Sequence, residues 1–390
     1  MQQLVDVNCG EKLEHHPMDP SIDYLLVTGG TGFIGGAILA ELLATPLWTK
    51  TLIMVRAQSP EEGKRRIAES MQRFFPDVSV AGLINMDQII VGGLEDAGAL
   101  VEDRRTPRIT HVIHCAAVTS FSNNPKIRAV NVDASLKFLR YLSEAAGLRR
   151  FTNVGTAWCV GMRTSEVVPE SAQVSEGEHV VPYTQSKLEF ERKARFEFPG
   201  LSFVSARPSI VVGHTKLGTK PSGSIYWVFR STFLLGQFTC PYSEKLDVVP
   251  VDWVANAVLR LATMPKPKFD HYHLSTGADA ASTIAQIDAA IASGINETPH
   301  GSGGYRHVTA DDLAKAVRKN RERLGEANPW LLSHALNIYG KFAQSGTVFD
   351  NRNTLTEGIP PPPPFFSYAG LCAATAQSTS IAAQMEDDFK

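Results

Sequence analysis

A tyrosine and a lysine at helical spacing are the residues of this sequence best suited to proton transfer. Tyr183 and Lys187 form Tyr-x-x-x-Lys at the start of a predicted helix, and residues four apart share one helix face. A free tyrosine has a pKa of about 10, and a neighbouring ammonium is expected to favour the phenolate and lower that pKa. The same lysine could also bond the ribose hydroxyls of a nicotinamide coenzyme. Because the motif is common by chance on surface helices, its interpretation depends on the segments before it.

A hydroxyl that precedes this helix could hold the oxygen of a substrate carbonyl. Thr156 follows a predicted strand in Asn153-Val154-Gly155-Thr156-Ala157, and the C-terminal ends of parallel strands form the ligand crevice of an open sheet. Its hydroxyl could donate to a developing oxyanion while Tyr183 gives the proton. A strand-end turn or a helix cap would explain the same residue. Thr152 and Ser165 are weaker candidates for the role.

The remaining polar candidates are interpreted structurally. Asn131 lies near the start of a predicted helix, where an N-cap is favoured over a proton relay. His111 and His114 flank a predicted strand and are expected to be packed or hydrogen-bonded rather than catalytic. The sequence shows no cluster with metal-ligand spacing and no Gly-x-Ser-x-Gly, so neither a metal site nor a serine hydrolase is predicted.

A glycine-rich turn predicts a dinucleotide site. The run Thr28-Gly29-Gly30-Thr31-Gly32-Phe33-Ile34-Gly35 carries Gly-x-x-Gly-x-x-Gly between a predicted strand and a predicted helix. Glycines permit a tight turn and close approach of the backbone to a pyrophosphate, which would rest at the helix N-terminus. The predicted contacts are Gly29, Thr31, Gly32, Phe33, Ile34 and Gly35. A glycine-rich turn without a ligand is the alternative, and the strand–turn–helix context makes it the weaker one.

The residue after the second predicted strand indicates which dinucleotide binds. NAD-selecting sites usually place a carboxylate there, which binds the ribose 2′-hydroxyl. Here that position is Arg56, and a guanidinium suits a 2′-phosphate. Arg66 and Arg65 on the next helix could add to the pocket, although a solvated helix face would explain them equally well. The predicted cofactor is therefore NADP(H).

Alternating strands and helices must position these groups. Strands are predicted at 24–27, 51–55, 89–91, 111–114, 150–154 and 202–206, and helices at 33–43, 61–75, 130–146 and 183–196. This alternation predicts an α/β fold, a doubly wound parallel Rossmann-type sheet with helices on both faces. After 213–223, which is predicted as a loop, a strand and a helix are expected within 248–264. Helices follow at 283–292, 310–324 and 329–342, and the five prolines at 360–364 predict a stiff strap.

We expect three regions. Residues 1–20 form a polar arm, and 21–275 form the NADP-binding domain, with a substrate-region insertion at about 213–245. Residues 276–390 form a smaller, mostly helical substrate-binding or lid region. Trp227, Phe229, Phe233, Leu234 and Leu235 are candidates to line an apolar pocket, although packing within the lid explains each of them individually.

Composition excludes several classes of protein. The chain is 43% hydrophobic with a formal net charge of −2, which does not indicate a nucleic-acid surface. Its five cysteines are widely spaced and form no Cys-x-x-Cys, so a disulfide framework is not expected and a cytoplasmic location fits. No signal peptide and no transmembrane segment are predicted.

Together these motifs resemble the extended short-chain dehydrogenase/reductases. The glycine turn and Tyr183-x-x-x-Lys187 carry that match. Further segments resemble the branch that holds fatty acyl-CoA reductases and the thioester-reductase domains of carboxylic acid reductases and peptide synthetases. These segments are Val55-Arg56-Ala57, His114-Cys115-Ala116-Ala117-Val118-Thr119-Ser120-Phe121, Val154-Gly155-Thr156-Ala157, Arg207-Pro208-Ser209-Ile210-Val211-Val212-Gly213 and Val248-Val249-Pro250-Val251-Asp252-Trp253-Val254-Ala255.

The resemblance, which covers about residues 22–275, implies specific roles. Tyr183 would be the proton donor, Lys187 its tuner and ribose anchor, and Thr156 the carbonyl holder. Beyond the glycine turn and Arg56, it implies NADP contacts from the backbone of Cys115, Ala116 and Ala117 and from the segment Pro208, Ser209 and Ile210. Two departures stand out: Gly92-Gly93-Leu94 replaces the usual Gly-Asp-Leu, leaving the adenine contact to the backbone, and Gly155-Thr156 replaces the usual Ser-Thr.

The leading functional prediction is an acyl-thioester reductase that yields an aldehyde, with or without further reduction to the alcohol. Because no adenylation or carrier domain accompanies these motifs, the thioester is expected to arrive in trans on coenzyme A or a carrier protein. Another extended dehydrogenase acting on a ketone, aldehyde or hydroxyl group is the alternative, or a nucleotide-sugar epimerase, against which Arg56 argues mildly. An inactive NADP-binding regulator is the remote alternative, against which the intact Thr156, Tyr183 and Lys187 argue.

Overall fold

The computed structural model describes residues 17–96, 98–120, 124–163, 167–171 and 177–388. Most of the predicted N-terminal arm, and also Ser165, lie outside these residues. Up to the fifth strand the elements are β1 (Tyr24–Thr28), α1 (Phe33–Leu42), β2 (Thr51–Val55), α2 (Pro60–Gln72), β3 (Ile89–Val91), α3 (Gly98–Glu102), β4 (Ile109–His114), α4 (Lys126–Arg128), α5 (Ser135–Ala145) and β5 (Arg150–Val154). A π-helical segment, Ala129–Ala134, joins α4 to α5, so this helix begins earlier than predicted.

The middle of the chain comprises β6 (Val167–Val168), α6 (Pro182–Glu197), β7 (Ser202–Pro208), β8 (Ile210–Val211), α7 (Tyr226–Leu235), β9 (Gln237–Phe238), β10 (Lys245–Leu246), β11 (Val248–Val249), α8 (Val251–Thr263) and β12 (His271–Leu274). The last part comprises α9 (Gly277–Ala280), β13 (Ser282–Thr283), α10 (Ile284–Gly294), α11 (Gly301–Gly304), β14 (Arg306–His307), α12 (Ala310–Lys319), α13 (Pro329–Gln344), β15 (Val348–Phe349), α14 (Arg352–Thr356), α15 (Phe366–Ala376) and α16 (Ile381–Asp388).

Seven parallel strands form the main sheet, in the order β12-β7-β5-β4-β1-β2-β3. This confirms the predicted doubly wound fold and all six predicted strands. The strand order reverses between β1 and β4, and ligands bind outside the carboxyl ends of strands at such a point. The sheet thereby places the glycine turn after β1 beside the segment after β4.

The apolar runs of the central strands follow from burial on both faces. Leu25 and Val27 of β1 pack into a core with α1, α2 and α8, whereas Leu26 packs into a core with α5 and α6 on the opposite face. Successive strand residues point to opposite faces, so a strand covered on both sides is apolar without interruption.

The seventh strand was missed because its sequence is half histidine. β12 contains His271 and His273, both buried, and it pairs with β7 at the edge of the sheet. The backbone N–H of His273 donates to the carboxylate of Glu170 at 2.7 Å, and its Nδ1 lies 3.0 Å from the carbonyl oxygen of Asp350. Distant segments therefore bind both the backbone and one ring nitrogen of His273. The predicted strand at 248 is only two residues long and pairs with β8 rather than with the main sheet.

A second, separate hydrophobic core lies among helices α7, α10, α12, α13, α15 and α16. Described residues after β12 add no strand to the seven-stranded sheet, and their two-residue strands β13, β14 and β15 pair instead with β10, β9 and β6. Helix α12 ends at Lys319, earlier than predicted, because a tight turn follows in which Gly325 and Glu326 adopt positive φ.

The proline-rich strap connects the two cores. Ile359, before the prolines, is buried in the core of α1 and α8, whereas Phe365, after them, is buried in the helical core. The indole N–H of Trp253 donates to the carbonyl oxygen of Pro360 at 2.8 Å. A segment without regular structure therefore crosses between the cores, as the run of prolines predicted.

Candidate active site

One large cavity of about 920 Å³ runs along the carboxyl edge of the sheet and in among the helices of the second core. The leading candidates for catalysis and coenzyme binding all line it. These residues are Gly29, Thr31, Gly32, Phe33, Ile34, Gly35, Arg56, Arg66, Cys115, Ala116, Ala117, Thr156, Tyr183, Lys187, Pro208, Ser209 and Ile210. The structure therefore brings together in space a set of residues that the chain spreads over about half its length.

The glycine turn is close-packed where its first and third glycines lie. Gly29 has φ of +75°, and a Cβ there would lie 2.5 Å from the backbone nitrogen of Ala116. A Cβ on Gly35 would lie 2.1 Å from the carbonyl oxygen of Gly29. Gly32, in contrast, has only that carbonyl oxygen nearby, at 3.4 Å, and serves as the N-cap of α1 without a side-chain bond. Gly29 and Gly35 build the turn, whereas Gly32 leaves the helix N-terminus open to the cavity. An open helix N-terminus suits an anion.

Three arginines line this end of the cavity. Arg56 is exposed at the end of β2, and Arg66 on α2 donates from Nη1 to the Arg56 carbonyl oxygen. Arg73, which the sequence analysis missed, follows α2 and donates to the carbonyl oxygen of Thr31 at 3.3 Å, so it braces the glycine turn. Arg65 pairs with Glu69 at 2.6 Å on the exposed face of α2 and does not line the cavity, so of its two interpretations the solvated helix face fits.

Gly93, which stands in place of the usual Asp of Gly-Asp-Leu, lies beside the side chain of Arg56. Gly92 and Gly93 line the cavity, and a Cβ on Gly93 would lie 3.6 Å from both Cγ and Cδ of Arg56. The stem of the arginine thus passes over the glycine that stands where the related enzymes carry Asp. A carboxylate at this position would lie against the guanidinium rather than leave it available to a phosphate.

The segment after β4 is held by a buried asparagine. Asn131 accepts from the backbone N–H of Val118 at 2.7 Å and donates to the Val118 carbonyl oxygen at 2.9 Å and to Ser186 Oγ at 3.0 Å. It lies within the π-helical segment, so the N-cap interpretation is wrong. The extra residue of a π turn is common at functional sites. Here the π turn directs the Asn131 amide toward the backbone of Val118, which lines the cavity, and toward Ser186, which precedes Lys187.

Both histidines of β4 are structural, as expected. His114 is buried among aromatic rings and lies 2.9 Å from Thr28 Oγ1 and 3.2 Å from Ser135 Oγ. Burial lowers its pKa to about 3, so it stays neutral. His111 is buried beside Thr110 Oγ1, at 3.0 Å.

Tyr183 and Lys187 lie on the first turns of α6, which starts at Pro182, a favourable first helical residue. Lys187 is buried, and its Nζ donates to the carbonyl oxygen of Val154 at 2.9 Å, while lying 5.8 Å from the centre of the Tyr183 ring. The predicted pairing of the two side chains on one helix face is present, with the ammonium over the ring.

The expected lowering of the tyrosine pKa is wrong for the chain without coenzyme. Burial raises the pKa of Tyr183 above its ordinary value, and the nearby Cys159 thiol adds to the rise. Burial also lowers the pKa of Lys187 to about 8. Burial penalises the charged form of each group, and it is the largest cause of both pKa shifts. Tyr183 is therefore a neutral phenol with a proton to give.

Thr156 caps a short helical turn and also lines the cavity. Its Oγ1 accepts from the Trp158 N–H at 3.3 Å and lies 3.5 Å from the Pro208 carbonyl oxygen. The cap alternative is thus present together with a position in the cavity. Thr152, the weaker candidate, is buried within β5 and does not line the cavity.

The Gly155 departure follows from a buried ion pair behind the site. Glu191 and Arg207 are each about 2% exposed and lie 2.6 Å apart. A Cβ on Gly155 would lie 2.6 Å from Glu191 Oε1. A serine in place of Gly155 would collide with this carboxylate.

Beyond Tyr183 and Lys187 the cavity opens into an apolar chamber. Phe229 and Phe233 of α7 line it, as predicted, whereas Trp227 is fully buried against Tyr339 and neither Leu234 nor Leu235 reaches the cavity. The sequence analysis missed the chamber residues on the other helices and loops. They are Val228, Thr232, Phe238, Leu246, Ile284, Ile287, Asp288, Ile291, Tyr305, Tyr339, Phe342 and Ala343. Spacings of three and four residues signal the inward faces of α10 and α13, but not what those faces contact.

The described part of the chain contains no group of three or more His, Cys, Asp or Glu that could hold a metal ion. Among the same residues, no helix is both long and apolar enough to cross a membrane.

Comparison with known proteins places this chain in a family. The family described as male sterility protein, a dinucleotide-binding family by its short name, matches residues 27–258. The chain is 24% identical over 309 residues to the non-canonical nonribosomal peptide synthetase FrzA of a Cladobotryum species, covering 70% of this chain and 29% of that protein. It is 25% identical over 272 residues to the aldehyde reductase lnaA of Aspergillus flavus, covering 63% and 26%. The chain thus spans less than a third of the length of either relative.

Solved structures share the fold. The terminal R domain from the myxalamid PKS-NRPS biosynthetic pathway superposes with a TM-score of 0.73 at 20% identity, covering 95% of this chain and 94% of that one. A thiolation-reductase di-domain from an archaeal non-ribosomal peptide synthetase superposes with a TM-score of 0.71 at 18% identity, covering 96% and 79%. The family match takes in the glycine turn, Arg56, Thr156, Tyr183 and Lys187. The chain therefore belongs to the male sterility protein family and is an NAD(P)-dependent oxidoreductase of the extended short-chain dehydrogenase/reductase type.

Proposed function

We propose that this chain is an NADPH-dependent reductase that converts an acyl thioester to an aldehyde. One observation carries the proposal: a single cavity joins the glycine turn, the Tyr183–Lys187 pair and an apolar chamber. A dinucleotide at the turn and an acyl group in the chamber would meet at the pair. The peptide synthetase among the relatives, and the terminal R domain and the thiolation-reductase di-domain among the solved structures, support a thioester as the substrate.

The coenzyme end of the cavity fits NADPH by its shape and charge. The close-packed turn at Gly29 and Gly35 and the open side at Gly32 suit a pyrophosphate. The guanidinium of Arg56, with Arg66 beside it, suits a 2′-phosphate. When bound, the coenzyme would supply the hydride that reduces the carbonyl carbon.

The remaining chemistry belongs to side chains of this chain. Thr156 donates a hydrogen bond to the carbonyl oxygen as negative charge develops on it, and Tyr183 gives that oxygen its proton. The raised pKa of Tyr183 keeps the phenol protonated until that moment. Lys187, held by the Val154 carbonyl oxygen, provides positive charge beside the Tyr183 ring. The hemithioacetal hydroxyl then returns its proton to the Tyr183 phenolate as the carbon–sulfur bond breaks, and the departing sulfur takes up a proton from solvent. In sum, thioester, NADPH and one proton give aldehyde, thiol and NADP⁺.

The thioester is most simply carried by a pantetheine arm, on coenzyme A or on a carrier protein. The named thiolation-reductase di-domain supports the carrier protein. The released aldehyde could be reduced again at the same residues to the alcohol, because its carbonyl presents the same oxygen to Thr156 and Tyr183.

A substrate panel tests the proposal. The purified chain is assayed with NADPH against acyl-pantetheine, acyl-coenzyme A and carrier-bound thioesters, and coenzyme loss, free thiol and trapped aldehyde are measured together. Equal amounts of oxidised coenzyme, thiol and aldehyde are expected, with Tyr183→Phe as the inactive control. Reduction of free aldehydes or ketones without thiol release from any thioester would make the chain a carbonyl reductase instead.

A further inference from the structure

One wall of the apolar chamber carries an unexpected charge. Ile284, Ile287, Asp288 and Ile291 lie on one face of α10, at the i, i+3, i+4 and i+7 spacing of a buried helix stripe, and all four line the cavity. Asp288 is 6% exposed, whereas the isoleucines beside it are 2–4% exposed. A carboxylate in an apolar wall is costly unless its oxygens are bonded, so this position calls for an explanation.

The carboxylate is held by bonds that leave it room for one more donor. Its Oδ2 accepts from Tyr242 Oη at 2.8 Å and from the His300 backbone N–H at 2.8 Å. Its Oδ1 lies 2.8 Å from His300 Nδ1. A carboxylate has about four lone-pair sites, so these three contacts leave capacity at Oδ1. Tyr305 lines the cavity nearby but donates its hydroxyl to the Cys240 carbonyl oxygen at 2.9 Å, so it does not take that place.

The two ends of the cavity differ in charge. The coenzyme end carries three cations, Arg56, Arg66 and Arg73, and one carboxylate, Glu95. Of the described residues that line the chamber, Asp288 alone carries a formal charge, and its neighbours there are apolar or neutral. His300 contacts the carboxylate without lining the cavity. A plain alkyl chain would gain nothing from this carboxylate, whereas an ammonium group would bond it in a low-dielectric wall.

We propose that Asp288 is a specificity-determining residue that accepts a hydrogen bond from a protonated amine on the acyl group. This inference rests on the proposed thioester reductase function. It makes the preferred substrate an amino-bearing acyl thioester rather than a plain fatty acyl thioester of the same length. Tyr242 and His300 hold the carboxylate in place, and the isoleucines of α10 contact the hydrocarbon part of the chain.

Matched ligand pairs test the inference. Each pair consists of an amino-bearing acyl-pantetheine and its isostere with methyl in place of the amine, with the amine placed at several positions along the chain. We expect the wild-type chain to favour the amino member by about 10–100-fold in kcat/KM at the best position, the range of a charge-assisted bond lost from a buried site. In Asp288→Asn this ratio should fall to within about twofold of one. Tyr242→Phe, which removes a donor but keeps the carboxylate, should retain the preference.

A binding measurement separates this inference from the proposed function. Amide analogues of the same pairs cannot be reduced, so their affinities report recognition without turnover. Preferential binding of the amino analogue that Asp288→Asn abolishes, with no turnover of any thioester, would refute the reductase and retain the amine site. Turnover with equal kcat/KM for both members of every pair would refute the amine site and retain the reductase. If Asp288→Asn lowers the affinity for both members equally and also lowers the melting temperature, Asp288 stabilises the fold and does not recognise the amine.

Discussion

Arg56 offers the sharpest test of coenzyme choice, because the chain contains a matched control, Arg65, nine residues away. Both Arg56 and Arg65 are exposed, but only Arg56 lines the cavity, whereas Arg65 pairs with Glu69. Arg56→Asp would remove a charge-assisted bond to a 2′-phosphate and add repulsion between two negative charges. The bond is worth about 1.5–3 kcal/mol. At the high effective dielectric of an exposed site, the repulsion adds about 1 kcal/mol or less.

These contributions set the expected loss. Since about 1.4 kcal/mol is a tenfold change in affinity, the Kd for NADPH should rise at least about tenfold and up to several hundredfold. NADH, which lacks the phosphate, should change by less than about threefold. Arg65→Asp should leave both affinities within about twofold of wild type.

The assay is titration of the coenzyme fluorescence for the three proteins at one ionic strength, because exposed charges are screened by salt. Arg66→Ala should fall between the two, because that side chain touches Arg56 through its carbonyl oxygen. An unchanged NADPH affinity in Arg56→Asp would mean that the end of β2 does not contact the ribose phosphate. An equal loss of NADH affinity would mean that the substitution disturbs the fold of the turn rather than a phosphate contact.

Three further results are expected. Tyr183→Phe should lower kcat by about 10²–10⁴-fold while the coenzyme Kd stays within about threefold of wild type, because only the proton donor is lost; near-normal turnover would remove Tyr183 from the mechanism. Gly35→Ala should abolish coenzyme binding, since its Cβ would lie 2.1 Å from a backbone oxygen of the same turn, and wild-type affinity in this variant would contradict the packing of the turn. Burial lowers the pKa of Lys187 to about 8, so kcat/KM should fall as pH rises through about 8. The unfolded chain holds this proton up to about pH 10.4, so the free energy of unfolding should rise with pH between these values, and Lys187→Gln should lose that rise.

The coenzyme half of the site was predictable because its signals are local. A strand, a glycine turn and a helix are contiguous in sequence, and the steric demand at Gly29 and Gly35 leaves glycine as the residue that fits. Tyr183 and Lys187 were similarly predictable, because residues four apart share one face of a helix. Arg56 could be assigned from its place at the end of a strand. Local rules for strands, caps and glycine turns do not need the rest of the chain.

The errors arose where a residue's partner is distant. Asn131 was interpreted as a cap because it lies near a predicted helix start, but its contacts are Val118 and Ser186. The strand β12 was missed because His273 finds partners for its backbone N–H and its ring in segments 103 and 77 residues away. Neither partner can be identified from the residues beside it.

By itself, the sequence determined most of the order of strands and helices, the glycine turn and the placing of Tyr183 and Lys187 on one helix face. Those features depend on backbone geometry and on residues within a few positions of one another. Only the tertiary structure decided the direction of the Tyr183 pKa, because burial depends on the whole fold and outweighs the nearby ammonium. Only the tertiary structure likewise turned the stripe around Asp288 toward the same cavity as the glycine turn, because that cavity forms where the sheet and the second core meet.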